Sequence, residues 1–169
     1  MVVLEEYTTI FYRAGGCKTT TRPLFYEFSI YPMIILKDAQ IEVHDPRSMV
    51  EPLRQWIARL DEEDRHKEYL FVALLDTRQK VMLVDVVSIG TLNASLVHPR
   101  EVFVRAIRHY AASILIAHNH PSSVCDPSDA DNTVTRRLRQ AGDIVGIPLK
   151  DHIVFTAENY FSFWETGTF

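Results

Sequence analysis

Cysteine is scarce in this chain, and its scarcity bears on two expectations: whether disulfide bonds form and in which cellular compartment the protein works. Of 169 residues only two are cysteine, Cys17 and Cys125, which are too few for a disulfide framework and do not form a Cys-x-x-Cys pair. Disulfides persist mainly in oxidising compartments. Residues 1–12 also lack the unbroken apolar stretch of a signal peptide. Both features predict a reduced, cytoplasmic protein.

Long apolar runs and an excess of positive charge are missing as well. No stretch approaches the roughly 18 consecutive apolar residues of a membrane-spanning helix, so we expect no membrane segment. The formal net charge is −4 at pH 7, which gives no global positive field for nucleic acid. Arg136, Arg137 and Arg139 form a small local cluster that could contact phosphate. Nucleic acid therefore stays a possible partner, although the overall charge does not support it.

What the chain does contain is the composition of one globular domain. With 47% hydrophobic and 24% charged residues it can bury a sizeable core. Strand-like apolar runs alternate with stretches of helical periodicity, which predicts an α/β protein of the α+β type, a mixed β-sheet flanked by helices. We expect residues 1–44 to be a β-rich extension packed on a core domain of residues 45–169. The predicted strands are 69–75, 81–87, 113–118 and 147–155, and the predicted helices are 48–61, 128–141, one that begins at His98 and a short one within 157–165.

Local patterns add finer predictions for three helices. Ser48-x-x-Glu51 is a capping-box pattern at the start of the first helix. Gly142 is placed to end the helix that starts at Ser128. Helical spacing predicts a buried stripe on the helix that begins at His98, made of Val102, Phe103, Ala106, Ile107 and Tyr110.

Two histidines, His118 and His120, come at the end of an apolar strand. Residues i and i+2 of a strand point to the same face, so the two imidazoles project together while Asn119 points away. Pro121 cannot donate to a sheet ladder and ends the strand. Ten residues separate His120 from Asp131, which is room for a loop to turn back and begin a helix. Two imidazoles and one carboxylate are the three protein ligands of a catalytic zinc, with a fourth position left for water.

The same residues also have a structural interpretation. A histidine at a strand end is usually structural, and Ser128 and Asp131 fit the N-cap and the third position of a helix. The convergence of both histidines and the aspartate on one place favours the metal site. A metal-activated water also needs a carboxylate base outside the ligand set. Glu68, directly before strand 69–75, and Glu101 are the two candidates that the residues alone leave open.

The spacing of these residues resembles a known family. His118-x-His120-x(10)-Asp131, with Ser128 three residues before the aspartate, is similar to the JAMM (MPN/JAB) metalloprotease signature. Within that superfamily the resemblance is to the bacterial RadC-like proteins, historically linked to DNA repair. It runs from about residue 45 to about residue 165. The motifs that carry it are Lys67-Glu68, Leu74-Leu75-Asp76-Thr77, Gly90-Thr91-Leu92-Asn93, Val97-His98-Pro99-Arg100-Glu101, His118-Asn119-His120-Pro121-Ser122, Pro127-Ser128-x-x-Asp131 and Leu149-x-Asp151-His152-Ile153.

The resemblance implies a JAMM/MPN-like, cytidine-deaminase-like architecture and one zinc ion held by His118, His120 and Asp131. It further implies that Ser128 holds the bound water or stabilises the oxyanion, and that Glu68 is the general acid/base. The implied activity is zinc-dependent hydrolysis of a peptide or isopeptide bond in a peptide or protein substrate. The alternative is a non-catalytic accessory module, stabilised by its metal, that serves DNA repair or a mobile element.

Further predictions concern the surroundings of the site. We expect His152 to hydrogen-bond a ligand or to be structural, and His98 and Arg100 to cap and brace the helix that they start. Cys125 is interpreted as a reduced thiol rather than an additional zinc ligand. RadC-like proteins usually carry Gly where this chain has Ser123, so the loop between the ligands is expected to take a different path or to carry strain.

The first 33 residues depart from the longer members of that family. Those proteins have an N-terminal helix-hairpin-helix region, which is the part expected to touch DNA. Here, Gly15-Gly16 lies between two β-favouring runs rich in aromatic residues, which predicts a hairpin or two edge strands. Exposed strand edges of this kind could pair two chains as a homodimer.

Overall fold

A five-stranded mixed sheet forms the centre of the protein. The computed structural model describes residues 41–90, 97–122 and 124–168. Its elements are α1 Arg47–Ile57, α2 Glu62–Arg65, β1 Tyr69–Leu75, β2 Val81–Ile89, α3 Pro99–Arg108, β3 Ser113–Asn119, α4 Asp129–Val145, β4 Leu149–Phe155 and β5 Tyr160–Ser162. The strand order is β2-β1-β3-β4-β5, with β3 and β4 parallel and the other neighbours antiparallel. The predicted mixed α+β architecture is confirmed.

Strands β1 and β3 lie in the middle of the sheet and are buried along their whole length. Because helices cover both faces, these two sequences are continuous apolar runs rather than alternating ones. Each fully buried Leu or Phe side chain contributes roughly 2 kcal/mol through the apolar surface it removes from water. Helix α1 packs on one face through Met49, Val50 and Leu53. Helices α3 and α4 cover the other face through Val102, Phe103, Val134 and Leu138.

The sheet face under α3 and α4 carries the residues of interest. Side chains alternate along a strand, so Ile114, Ile116 and His118 point to this same face of β3. The chain crosses from β3 to its parallel partner β4 through α4. This crossover returns the first turn of α4 to the carboxyl end of β3, which is where the predicted histidine and aspartate ligands belong.

The end of α4 differs from the prediction. The helix passes through Gly142 and ends at Gly146, which adopts the left-handed conformation with φ 78°. Gly142 is buried, and a Cβ there would lie 2.6 Å from the carbonyl oxygen of Ile147 and 3.3 Å from the ring of Phe103. The glycine at 142 therefore allows close packing inside the helix instead of ending it. The short helix predicted within 157–165 is also wrong, since β5 occupies the middle of that segment and pairs with β4.

Two further local predictions are wrong for reasons of helix position. Helix α1 begins at Arg47 with Pro46 at the N-cap position, two residues before the expected cap, so Ser48 lies in its first turn and donates to the carbonyl oxygen of Asp45 instead of capping. On α3 the buried stripe stops at Ala106, while Ile107 is 55% exposed and Tyr110 is 92% exposed. The helix ends before Tyr110, which adopts the left-handed conformation with φ 54°.

Several predictions fall outside the described residues. The hairpin within residues 1–33, the homodimer edge, Cys17 and Ser123 all lie there, and the domain boundary at residue 44 stays a prediction. Among the described residues, no helix has both the length and the apolar character needed to cross a lipid bilayer.

Candidate metal centre

Two strand-end histidines and one helix carboxylate meet at the carboxyl end of β3. The Nε2 atoms of His118 and His120 are 3.0 Å apart. Asp131, in the first turn of α4, places Oδ1 3.3 Å from Nε2 of His118 and Oδ2 3.6 Å from Nε2 of His120. A tetrahedral zinc with bonds of about 2.0–2.1 Å separates its ligand atoms by about 3.3 Å. The three side chains are spaced as the ligands of one ion are.

The two oxygens of Asp131 have different surroundings. Oδ2 accepts hydrogen bonds from the amide and the hydroxyl of Ser128, at 2.7 and 2.6 Å, and the Asp131 amide approaches that hydroxyl to complete a capping box. Oδ1 is buried and has no hydrogen-bond partner among the residues that the structure describes. A buried acceptor left unpaired costs about 1–3 kcal/mol. The structural interpretation of Ser128 and Asp131 as a helix cap thus accounts for Oδ2 but not for Oδ1.

Each histidine is oriented through its Nδ1 atom. Nδ1 of His120 lies 2.9 Å from the carbonyl oxygen of Val124 in the loop after β3. A carbonyl only accepts, so Nδ1 of His120 carries a proton and, in the neutral ring, Nε2 carries the lone pair. Nδ1 of His118 lies 2.8 Å from Nε2 of His152, which is completely buried on β4. The structure therefore places His152 against a candidate ligand, as the sequence predicted.

Electrostatics at this cluster favour a positive charge. Burial raises the pKa of the Asp131 carboxyl, but the adjacent imidazoles of His118 and His120 outweigh burial and hold that pKa well below its ordinary value. Contact with Asp131 in turn raises the pKa of His120 against the effect of desolvation, and the charge of Glu68 adds to the rise. An ionised carboxylate is thus kept in a buried place, where it stabilises a cation, whether a proton or a metal ion.

The donor set fits a divalent metal ion. Two imidazole nitrogens and a carboxylate oxygen converge, and the buried Oδ1 of Asp131 lacks any other partner among the described residues. Nitrogen and oxygen donors in this number are those of zinc sites that keep an open position. Cys125 is partly exposed and does not belong to the group that could hold an ion.

Glu68 lies beside this group but outside it. The register of β1 on β3 pairs Leu70 with His118, and continuing it places Glu68 opposite His120 on the same face of the sheet. Its charge acts on the pKa of His120, and its side chain is partly buried. Glu101, the competing candidate, is exposed on α3 and pairs with Arg100. The register and the effect on the pKa of His120 thus place Glu68 near the cluster.

Asn119 holds the backbone on both sides of Glu68. Its side-chain oxygen accepts from the amide of Tyr69 at 2.8 Å, and its side-chain nitrogen donates to the carbonyl of Lys67 at 2.9 Å. The amide of Gly90 also donates to the carbonyl of Glu68. Asn119 points away from the histidines, as expected, yet it extends the pairing of β1 with β3 as a backbone peptide would. It thereby holds the backbone of Glu68 in place at the start of β1.

His98 and Arg100 lie at the start of α3. His98 occupies the N-cap position, and its carbonyl accepts from the amide of Glu101 at 2.9 Å, but its side chain makes no capping hydrogen bond. Arg100 is largely exposed and approaches Glu101 at 3.2 Å. Neither belongs to the group of three possible ligands.

One residue at the centre was not anticipated from the sequence. Thr135 is buried, donates to the carbonyl oxygen of Asp131 at 2.6 Å and lies 2.5 Å from Nδ1 of His152. Positions four apart share one face of a helix, so a threonine four residues after a proposed ligand was a detectable signal. Its contact with a histidine on β4 was not detectable, because it depends on how α4 lies over the sheet.

Residues 43–168 match the family model described as "RadC-like JAB domain". The chain belongs to this family. It is 45% identical to the UPF0758 protein of Chlorobium chlorochromatii over 104 aligned residues. The aligned region covers 62% of this chain and 47% of that protein. The UPF0758 protein of Rubrobacter xylanophilus is 49% identical over 115 residues, covering 68% of this chain and 48% of that protein.

A third relative of this RadC-like JAB chain is similar over a longer stretch. The UPF0758 protein STH371 of Symbiobacterium thermophilum is 45% identical over 128 residues, covering 76% of this chain and 53% of that protein. The chain thus spans about half the length of the curated relatives it matches. The names of these relatives state no activity and therefore do not identify a reaction.

Proposed function

We propose that this RadC-like JAB protein is a zinc-dependent hydrolase that cleaves an amide or isopeptide bond of a peptide or protein with a metal-activated water. The observation that carries the proposal is the buried Oδ1 of Asp131, which lacks a hydrogen-bond partner among the described residues and lies 3.3 Å from Nε2 of His118. His118, His120 and Asp131 are the residues that would hold the ion. When bound, zinc supplies Lewis acidity and lowers the pKa of water to about 7.

Glu68 is the residue proposed to move the proton. Its carboxylate lies outside the ligand group yet close enough to His120 to affect that ring's pKa. It takes a proton from the attacking water and passes it to the leaving amine. Both tasks require a fixed carboxylate, and Asn119 holds the backbone on either side of Glu68. A positioned general acid–base residue contributes about 10²–10⁴-fold to the rate.

Ser128 has a narrower part in the proposal. Its hydroxyl donates to Oδ2 of Asp131, so the hydroxyl's one proton is already used. A hydroxyl in this state accepts a hydrogen bond from water but does not donate one to an oxyanion. Of the two roles that the family resemblance implies, holding the water is therefore the one that Ser128 supports. It also holds Oδ2 of the Asp131 carboxylate, which leaves Oδ1 beside Nε2 of His118.

Zinc binding tests the site. After removal of metals with a chelator, the full chain should bind one zinc ion in calorimetric titration, and His118→Ala and Asp131→Asn should lose most of the affinity. Arg136→Gln removes an exposed charge from α4 and serves as the control that should bind as the wild type does. A His118→Ala variant that retains stoichiometric zinc would refute the assignment of the ligands.

Cleavage tests the chemistry. Peptide and cell-extract protein libraries are incubated with zinc-loaded wild type or with Glu68→Gln, and new α-amines and newly freed lysine side chains are identified by mass spectrometry. The first product marks peptide bonds and the second marks isopeptide bonds. We expect products from the wild type alone at equal zinc content. If the wild type yields no more products than Glu68→Gln, the non-catalytic accessory module becomes the better account.

A further inference from the structure

A chain of buried polar contacts leads from the backbone of α4 to the inner histidine of the candidate metal centre. The hydroxyl of Thr135 donates to the carbonyl oxygen of Asp131 at 2.6 Å and lies 2.5 Å from Nδ1 of His152. Nε2 of His152 lies 2.8 Å from Nδ1 of His118. Thr135 is 5% exposed, and both rings are 0% exposed. Water therefore does not reach these atoms, and the partners must satisfy one another.

The direction of every proton in this chain follows from its first member. A carbonyl oxygen cannot donate, so the contact between Thr135 and Asp131 uses the single hydroxyl proton of Thr135. The hydroxyl oxygen can then only accept from His152, whose proton must lie on Nδ1. A ring buried so completely is costly to charge, so Nε2 of the neutral His152 keeps its lone pair. That lone pair accepts the Nδ1 proton of His118.

The consequence appears at the other side of the His118 ring. With its proton on Nδ1, the neutral imidazole has its lone pair on Nε2, 3.0 Å from Nε2 of His120 and 3.3 Å from Oδ1 of Asp131. We infer that Thr135 is a positioning residue that, through His152, fixes His118 in the tautomer whose Nε2 is free to bind a metal ion. The inference rests on the proposed metal site but concerns the metal-free protein as well.

Chemistry explains why a hydroxyl is needed at this position. Valine has nearly the shape of threonine but no oxygen, so Thr135→Val leaves Nδ1 of His152 without an acceptor. His152 then gains by moving its proton to Nε2 and donating to Nδ1 of His118. That step moves the proton of His118 to Nε2 and blocks the atom that faces the metal position. Serine keeps the hydroxyl, so Thr135→Ser should restore the wild-type arrangement.

The chain also offers a matched control on the same helix. Thr133 donates its hydroxyl to the carbonyl four residues earlier, that of Asp129, at 2.9 Å, as Thr135 does to Asp131. Thr133 is exposed, and the described contacts of its hydroxyl include no histidine. Thr133→Val therefore reproduces the loss of a threonine hydroxyl from α4 without touching the histidine chain.

The experiment has one arm that needs no variant. Nitrogen-15 NMR of the histidine rings in the metal-free full chain reports which nitrogen of each ring carries the proton. We expect both His118 and His152 to be protonated on Nδ1 and not on Nε2. A wild-type His118 with its proton on Nε2 overturns the inference, whatever the variants do.

The second arm measures zinc affinity by competition with a chromophoric chelator. Loss of a hydrogen-bonding partner behind a metal ligand typically costs about 10–100-fold in affinity, and we expect that loss for Thr135→Val. Thr135→Ser should stay within a few-fold of the wild type, and Thr133→Val should match it. A folded Thr135→Val that binds zinc as tightly as the wild type overturns the inference. If the wild type binds no zinc, the proposed function fails, and the NMR arm alone decides the tautomer.

Discussion

The two histidines of the candidate metal centre are two residues apart, yet different parts of the molecule orient them. His118 is completely buried, and its Nδ1 contacts a histidine on the neighbouring strand that is itself held by a threonine of α4. His120 is partly exposed, and its Nδ1 contacts the backbone carbonyl of Val124 in the loop between the ligands. The orientation of His118, the inner ligand, thus depends on contacts in the core. The orientation of His120, the outer ligand, depends on a contact with the loop.

This difference suggests how such a site can vary. A loop can change its sequence and path without disturbing a ligand that the core holds. The departure noted in the sequence, Ser123, falls in the segment between His120 and Asp131 that also contains Val124. The core side, in contrast, is built from contacts among β3, β4 and α4, where a changed side chain also changes the packing.

The largest expected difference is between His118→Ala and His120→Ala. Each variant removes one of three ligands, so each should weaken zinc binding by more than the roughly 10–100-fold that loss of a partner behind a ligand costs. Only His118→Ala also leaves a buried cavity and an unpaired nitrogen on His152, so it should lower the unfolding free energy of the metal-free protein by about 3 kcal/mol. His120→Ala should lower it by less than about 1 kcal/mol. Chemical denaturation with and without zinc measures both, and equal losses of stability would contradict the comparison.

A second prediction concerns Asn119, the residue between the two histidines. Asn119→Asp keeps the acceptor for the amide of Tyr69 but loses the donor to the carbonyl of Lys67. The carbonyl and the new carboxylate then face each other, which should cost about 1–3 kcal/mol in stability and displace Glu68. Zinc affinity should stay within a few-fold of the wild type, because Asn119 points away from both ligands. A variant that loses zinc but not stability would show that Asn119 acts on the ligands instead.

A third prediction concerns pH and the strand behind the inner ligand. Burial raises the pKa of Asp151 to about 6, although the hydroxyl of Ser162 and the amide of Trp164 donate to its carboxylate and oppose the rise. An unfolded aspartate has a pKa of about 3.9, so the native state binds the proton more tightly, and stability falls as pH rises from about 4 to about 6. The contribution lost over this window is about 3 kcal/mol.

Asp151→Asn tests this directly, because asparagine carries no charge: its side-chain oxygen can accept from the Trp164 amide, and its side-chain nitrogen can donate to the Ser162 hydroxyl, which then acts as acceptor. The difference in unfolding free energy between variant and wild type should grow from pH 4 to pH 6 in favour of the variant and then level off. Asp143→Asn removes an exposed carboxyl from α4 and is the matched control. If Asp151→Asn became less stable than the wild type as pH rises, the sign of the effect would be wrong.

The smallest effect should come from the loop. Val124→Gly keeps the carbonyl that accepts from His120 but frees the backbone, which costs roughly 0.5–1 kcal/mol of conformational entropy. Zinc affinity should fall about two- to fivefold, and the ring protons of His118 should not move. Val124→Ala, which removes side chain without freeing the backbone as much, should bind more tightly than the glycine variant. A shift in the His118 ring signals would show that the loop also orients the inner ligand.

The sequence predicted those parts of the fold and site that depend on local periodicity. Alternation along β3 placed His118 and His120 on one face, and the serine–aspartate spacing predicted the cap that the structure shows at the start of α4. The continuous apolar run of β1 is typical of a central strand, which it is; its pairing with β3, which brings Glu68 near His120, was not predicted.

The parts that could not be predicted depend on contacts between distant segments. Glycine is the residue typical of a helix end, which is why Gly142 was predicted to end α4. In the structure the backbone of Ile147 packs directly against Gly142, so the glycine has a packing role instead. Ile107 and Tyr110 continue a helical stripe in sequence, yet the helix ends before the stripe does. Thr135 and His152 are 17 residues apart and meet only because α4 crosses over β4.

X-ray absorption at the zinc edge tests the central claim most directly. Zinc-loaded wild-type protein should show a shell of nitrogen and oxygen donors at about 2.0–2.1 Å with the scattering pattern of two imidazoles. His118→Ala should lose one imidazole from that pattern. A sulfur shell at about 2.3 Å, the distance of a cysteine thiolate, or a fully hydrated ion without imidazole, would contradict a site made of His118, His120 and Asp131.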